Sequence, residues 1–209
     1  MDELRESESH RLIGGELCLD FANTVNGHTR PSSHEYLFDY LDMLLWGRHA
    51  GVLSAEEVVE LLGKATRHPG QAQAVFRQAL DLRETIFRIF TALGAGSRVD
   101  ENDLERLGAI WQVGQARLRL FHSVDGFSLG WDDEPSLERL ARRVAASAIH
   151  LLTSPQMHQV RICSGEHCDW LFIDTSRNHL RRWCSMDECG NRAKMQRRSI
   201  KQKLTATAG

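Results

Sequence analysis

The sequence has few of the features that mark membrane, secreted or transit-targeted proteins. It contains four prolines and two tyrosines in 209 residues, and no apolar run approaches the ~18 residues that a membrane helix requires. Its first ten residues, MDELRESESH, are acidic and polar, unlike a secretory signal or a basic transit peptide. We therefore expect a cytoplasmic protein without a membrane partner, in a compartment where thiols stay reduced.

Catalytic signatures are also missing from the sequence. It has no G-x-S-x-G elbow, no P-loop, no G-x-G-x-x-G and no H-E-x-x-H. Its ten histidines are scattered, and none pairs with a cysteine or a serine at a spacing that indicates a catalytic triad. We expect no enzymatic activity, and an enzymatic N-terminal domain is kept as an alternative.

Cysteines are few, but four of the five lie close together in the sequence. Cys163 and Cys168 form one pair, and Cys184 and Cys189 form a second pair with the same spacing. Two cysteine pairs joined by a short segment are typical of a tetrahedral thiolate site, and soft thiolates favour Zn²⁺. Disulfides or unrelated buried thiols are the alternatives, which a reducing compartment disfavours. Cys18 lies alone in an apolar run and is predicted to belong to a hydrophobic core.

Charge is distributed unevenly along the chain. Residues 160–209 carry ten Lys and Arg against five Asp and Glu, whereas the preceding residues carry sixteen against twenty-three. The small formal net charge of −2 conceals this difference. A basic tail on an acidic body indicates a polyanionic partner.

The segment after Cys189 is predicted to form a helix with two distinct faces, because it has no proline and no β-branched run. A helical projection places four residues on one narrow face: Cys189, Ala193, Ile200 and Leu204. Four cations fall on the adjoining arc: Lys194, Arg197, Arg198 and Lys201. We expect the first face to pack on the metal core and the cations to contact nucleic-acid phosphates. A merely solvated helix face is the alternative.

The C-terminal segment resembles a known zinc finger. Its Cys189-Gly190-Asn191-Arg192 motif, its Trp183-Cys184 pair and its aromatic Trp170-Leu171-Phe172 run are similar to the CGNR zinc finger, and GGELCLDFANTVNG at 14–27 resembles the start of the ABATE domain. The resemblance implies a bacterial, stress-induced transcription regulator that binds DNA. Asn191 is expected to hydrogen-bond a thiolate or the cysteine-loop backbone. Arg192 is expected either to offset thiolate charge or to reach a phosphate.

The expected fold class is mainly α (α+β). An α-helical domain with a small β-hairpin at 1–155 is followed by a treble-clef-like zinc finger at 156–209. In the finger, Leu171–Ile173 is expected to pair with the segment around Trp183, and a ligand substitution is expected to leave the N-terminal helices intact. Helix starts are indicated by Ser54-x-x-Glu57, Pro69, Asp100 and Pro135. Alternating apolar residues on either side of Asp125-Gly126 predict the hairpin.

Three polar residues interrupt apolar faces in the helical domain. Asp20 and Asn23 are spaced i, i+3, and Arg83 falls inside the apolar arc of a long predicted helix. A buried carboxylate and a buried guanidinium favour each other, which predicts an Asp20–Arg83 pair. Binding of a small-molecule effector by these three residues is the alternative.

We interpret the chain as a transcription regulator that senses or assembles through its N-terminal domain and binds DNA through a Zn²⁺ finger and basic helix. A finger that recognises a protein is the main alternative, and a homodimer is left open.

Overall fold

The computed structural model describes residues 11–28, 30, 33–124, 126–131 and 136–207. Most of these residues are helical, which confirms the mainly α fold class. The α-helices of the described ranges are α1 (Leu17–Ala22), α2 (Tyr40–His49), α3 (Ala55–Arg67), α4 (Pro69–Gly94), α5 (Glu101–Gln115), α6 (Arg139–Leu152) and α7 (Asn191–Thr207). No described helix has both the length and the apolar character of a membrane span.

Short antiparallel strand pairs connect these helices. The pairs are β1 (Val25–Asn26) with β2 (His34–Glu35), β3 (Leu118–Ser123) with β4 (Gly126–Trp131), and β5 (Val160–Ile162) with β6 (Leu171–Ile173). A 3₁₀ turn at Pro155–Gln159 precedes β5, and a π-helical turn at Met186–Gly190 leads into α7.

Helix starts follow the capping signals in the sequence. The backbone N–H of Glu57 donates to Ser54 Oγ at 3.1 Å while that of Ser54 donates to Glu57 Oε2 at 2.7 Å, so the predicted capping box opens α3. Pro69 is the first residue of α4, and Asp100 accepts from Asn102 N at 2.8 Å to cap α5. Pro135 lies outside the described residues, and α6 begins at Arg139.

The helical core forms where α1, α2, α4 and α6 meet. Phe21 and Trp46 pack there with ring centroids 5.1 Å apart. Cys18 is fully buried, and burial raises the pKa of its thiol to about 12, which confirms the prediction of a core residue.

The predicted hairpin is confirmed as β3 and β4, with Leu120 opposite Leu129. Leu120 is 66% exposed and Phe127 is 73% exposed, so these two residues stand outside the core.

Strand β6 belongs to two cores at once. Successive side chains on a strand point to opposite faces. Leu171 and Ile173 are buried in the helical core together with Val160, whereas Phe172 is buried among the four clustered cysteines and Trp170. The β5–β6 pair is therefore a wall shared by the helical domain and the finger. The expected pairing of Leu171–Ile173 with the segment at Trp183 was wrong, since the strand pairs with Val160–Ile162 instead.

Candidate metal centre and cationic surface

Two cysteine loops bring four thiols together at the end of the β5–β6 wall. Cys163 and Cys168 lie in the connection between β5 and β6, while Cys184 precedes and Cys189 falls within the π-helical turn. All four sulfurs are within 4.8 Å of one another, and all four residues are buried. The sequence-predicted ligand set is thus assembled in space, and it can hold a metal ion.

The sulfur geometry fits a tetrahedral ion of zinc size. A Zn–S bond of about 2.3 Å in a tetrahedron places neighbouring sulfurs about 3.8 Å apart. The Sγ atom of Cys184 lies 3.7 Å from the Sγ atom of Cys168 and 3.7 Å from that of Cys189. A disulfide would require about 2.05 Å, and the described cysteines are all free thiols.

The four thiols have opposing pKa shifts, as expected when one negative charge is shared in a small volume. Hydrogen bonds from the Cys168 and Cys184 thiols, and then from backbone N–H groups, lower the pKa of Cys163 far below its ordinary value of 9.0. The N–H groups of Gly165 and Cys184 lie 3.4 and 3.3 Å from its sulfur. The hydrogen bond with Cys163 raises the pKa of Cys168 and of Cys184, whereas burial raises that of Cys189. A cation is therefore needed to hold all four as thiolates.

Polar groups fix the second cysteine loop in place. The side chain of Asn191 donates to the carbonyl of Asp187 at 3.1 Å, which is the predicted bond to the loop backbone. Arg181 donates through Nε to the carbonyl of Trp183 at 2.9 Å and through Nη2 to the carbonyl of Cys184. The role of Arg181 was not predicted, because the sequence shows only one arginine among several in a basic segment.

The ABATE-like opening motif holds the finger through backbone and side-chain bonds. Asn23 Nδ2 donates to the carbonyl of Leu171 and its Oδ1 accepts from Leu171 N, both at 2.8 Å. The Trp170 indole N–H donates to the carbonyl of Val25 at 3.0 Å. The N–H of Ile173 donates to the Gly14 carbonyl at 2.9 Å. The helical domain and the finger are thus joined by paired, buried polar groups as well as by shared apolar residues.

The predicted Asp20–Arg83 pair was wrong. Asp20 Oδ1 accepts from the N–H of Gly14 at 2.7 Å, so its carboxylate closes the turn before α1. Burial raises its pKa to about 6 despite backbone hydrogen bonds from Gly14 and Ile13. Arg83 instead makes a bidentate bond to Glu35, at 2.7 and 2.6 Å.

Arg83 is the centre of a buried ionic network. Its Nε donates to Glu84 at 3.1 Å, and Glu84 in turn contacts the Nδ1 atom of His28 at 2.8 Å. The His28 ring stacks on Phe87 with centroids 3.6 Å apart. These contacts give Arg83 a structural role, as the bonds above do for Asp20 and Asn23. Effector binding by the three residues stays a prediction.

The cationic helix contacts the finger along its first two turns, where Gln196 donates to Glu166 and Arg197 lies over Trp183. Ala193 is half-buried, whereas Ile200 is 52% exposed and Met195 is 62% exposed. The prediction that the apolar face packs on the metal core was therefore wrong at Ile200, because about half of its side chain is exposed and it does not belong to the cysteine cluster. The backbone of Leu204 is helical, and its side chain lies outside the described residues.

The predicted nucleic-acid-binding residues of α7 face solvent. The exposed ones are Arg192, Lys194, Arg197 and Arg198. None of these four makes an ion pair within the described chain. The side chain of Lys201 lies outside the described residues. Because their charge is not neutralised internally, these cations are available to an anionic partner.

The fold and site define a helical domain continuous with a four-cysteine finger. Residues 15–155 match the ABATE family, described as "Putative stress-induced transcription regulator". Residues 159–201 match the CGNR zinc finger. The chain therefore belongs to the ABATE family and carries a CGNR zinc finger, which confirms both resemblances. No curated protein matches the chain.

Proposed function

We propose that the chain is a transcription regulator that binds duplex DNA through the exposed cations of α7. The observation that carries this proposal is that Arg192, Lys194, Arg197 and Arg198 are exposed and form no ion pair within the described part of the chain. Helix α7 contains six Lys and Arg and no acidic residue. A cationic helix held at one end by a rigid site presents its charges to phosphates at little further cost in conformational freedom.

The metal in this proposal is Zn²⁺, bound by Cys163, Cys168, Cys184 and Cys189. Four thiolates complete a tetrahedral shell, so the ion has a structural role and leaves no position at which water is activated. The proposed activity is accordingly binding, not catalysis. Its chemical contribution is to fix the start of α7 relative to the β5–β6 wall.

Salt dependence of DNA binding tests the proposal. If Lys194, Arg197, Arg198 and Lys201 contact phosphates, log affinity falls with log salt at a slope of roughly −3 to −4, at about −0.9 per contact. Replacing Arg197 and Arg198 by Ala flattens the slope by about two contacts, whatever the DNA sequence. The measurement is fluorescence anisotropy with a labelled duplex at several salt concentrations.

The control is a double variant of equal charge change, Arg67→Ala with Arg77→Ala. Both control residues are exposed and lie on α3 and α4, outside residues 156–209. Equal losses in the two double variants contradict binding through α7.

Recognition of a protein is the second candidate, favoured by the exposed Met195 and Ile200 on the same helix. Burial of these apolar side chains predicts binding that changes little with salt. Met195→Ala with Ile200→Ala abolishes that binding but leaves phosphate contacts intact. An effector site and a homodimer stay predictions, to be tested by a thermal-shift screen of metabolites and by light scattering.

A further inference from the structure

Two arginines from different elements contact one tryptophan beside the metal centre. The guanidinium carbon of Arg182 lies 5.4 Å from the centre of the Trp183 ring, and that of Arg197 lies 5.9 Å from it. Trp183 is half-buried and packs against the cysteine cluster, and it directly precedes Cys184. The aromatic ring is therefore anchored to the finger, and it holds a loop cation and a helix cation in place by cation–π attraction.

Neither guanidinium is neutralised within the described chain. Arg182 makes no side-chain hydrogen bond or ion pair there, and Arg197 uses only Nε, which donates to the Ala193 carbonyl at 3.3 Å. Both residues are exposed. The adjacent Arg181 differs, because it points inward, stacks on Phe172 and donates to two backbone carbonyls.

Holding two like charges together without a counter-ion is electrostatically unfavourable, and an anion between them relieves the repulsion. The two guanidinium carbons are at most 11.3 Å apart, the sum of their distances of 5.4 and 5.9 Å from the same ring centre. Duplex DNA carries one negative charge per about 1.7 Å of axis, so neighbouring backbone phosphates fall within that span.

We propose that Arg182 and Arg197, braced by Trp183, form a clamp that binds neighbouring phosphate groups of the nucleic-acid backbone. The clamp deepens the proposed DNA-binding function and rests on it for the identity of the ligand. It extends the contact surface from α7 to the loop before the second cysteine pair. Trp183 is a positioning residue here, since it orders the two guanidinium groups that contact the phosphates.

Three single variants separate charge, planarity and positioning in the full-length, metal-loaded protein. Arg182→Ala flattens the salt slope for a labelled duplex by about one contact, roughly 0.9. Arg182→Lys keeps the slope but loses affinity, because an ammonium lacks the planar fork that stacks and binds phosphate bidentately. Trp183→Leu also keeps the slope and lowers affinity by about threefold, the loss expected when an exposed cation–π contact is removed. Arg77→Ala is the charge-matched control, and metal content with melting temperature verifies that each variant is folded.

A second probe distinguishes failure of the clamp from failure of the DNA-binding proposal. Calorimetric titration with inorganic tripolyphosphate measures the anion site without DNA. We expect binding that Arg182→Ala weakens and Arg77→Ala does not. Tripolyphosphate binding without DNA binding supports a phosphate site at Arg182 and Arg197 and contradicts both the proposed function and nucleic acid as the ligand of the site. DNA binding whose slope is the same in Arg182→Ala and Arg77→Ala overturns the clamp and leaves the function of α7 standing.

Discussion

The helical domain pairs several of its arginines with carboxylates, whereas the arginines of the finger form no ion pair with the described residues. In the helical domain, Arg83, Arg88, Arg139 and Arg143 each donate to a carboxylate, at 2.6 to 2.9 Å. In the finger, the described guanidinium groups of Arg182 and Arg198 have no carboxylate partner. Paired arginines stabilise the position of an element, whereas unpaired ones leave their charge for a ligand. The comparison shows which of these arginines support the fold and which leave their charge exposed.

The same two regions differ in what holds them together. The helical domain buries an apolar core of α1, α2, α4 and α6, whereas the finger buries a small cluster of cysteines and aromatic rings. A region of fewer than about 70 residues rarely buries enough apolar surface to be stable alone, and a metal is one way to compensate. Strand β6 nevertheless contributes side chains to both cores, so each region stabilises the other.

Substitution of a metal ligand should give the largest effect in this comparison. Cys184→Ser removes one thiolate, and the finger loses folding free energy on the order of 10 kcal/mol because metal binding and folding are coupled in such sites. We expect no stoichiometric zinc by elemental analysis and a collapse of the finger's near-ultraviolet signal from Trp170 and Trp183. Cys18→Ser, outside the cluster, should retain one zinc per chain. Full metal content in Cys184→Ser would show that the cluster is not the site.

Breaking the buried ion pair of the helical domain should have a smaller effect. Glu35→Ala leaves Arg83, whose side chain is 5% exposed, without its bidentate partner. We expect a loss of about 3 kcal/mol, at the low end for a buried pair because the Glu35 side chain is 31% exposed. Chemical denaturation measures this loss. Glu105→Ala, an exposed carboxylate on α5, serves as the control, and equal stability of the two variants would contradict a structural role for the pair.

Local signals in the sequence predicted the helical domain well. Ser54, Glu57, Pro69 and Asp100 act within one turn of their own helix, so their effect does not depend on the rest of the fold. The two-residue strands β1 and β2 were missed because so short a segment carries no periodic pattern. The four metal ligands were predicted because thiolate chemistry constrains their spacing.

Long-range contacts were the part that sequence patterns could not supply. The sequence pattern predicted a carboxylate partner for Arg83, but by charge alone Glu35 and Asp20 are equivalent candidates. The antiparallel pairing of β1 with β2 places Glu35, and not Asp20, beside Arg83. The side chain of Asn23 bonds the backbone N–H and C=O of Leu171, 148 residues away. Because every residue except proline has these two backbone groups, the identity of Leu171 gives no sign of the contact. The exposure of Ile200 depends on where α7 points, which helical periodicity does not specify.

The buried carboxyl of Asp20 should give an effect no larger than that of the Glu35–Arg83 pair, visible as a pH dependence. Its pKa is about 6 in the fold against 3.8 for the free side chain, so the unfolded chain ionises first as pH rises. Titration of Asp20 leaves the free energy of unfolding unchanged below about pH 4 and lowers it between about pH 4 and 6. Above that window the free energy of unfolding stays lower by about 3 kcal/mol. Asp20→Asn removes the titration, so its stability relative to the natural protein should rise across that window. A difference that is flat with pH would contradict the shift. The metal-binding thiols titrate in both proteins, so their contribution cancels when the two free energies of unfolding are subtracted at each pH.

The central claim is that the helical domain and the finger share the β5–β6 wall and so stabilise each other. Differential scanning calorimetry of the full chain, with metal bound and after removal by a chelator, tests it most directly. The shared wall predicts that metal removal lowers the melting temperature of the helical transition, because Leu171, Ile173 and the bonds of Asn23 lose their support. Asn23→Ala should reduce that shift, since it uncouples the two regions at their buried amide bonds. A helical transition at the same temperature with and without metal would contradict the claim and show two independent domains.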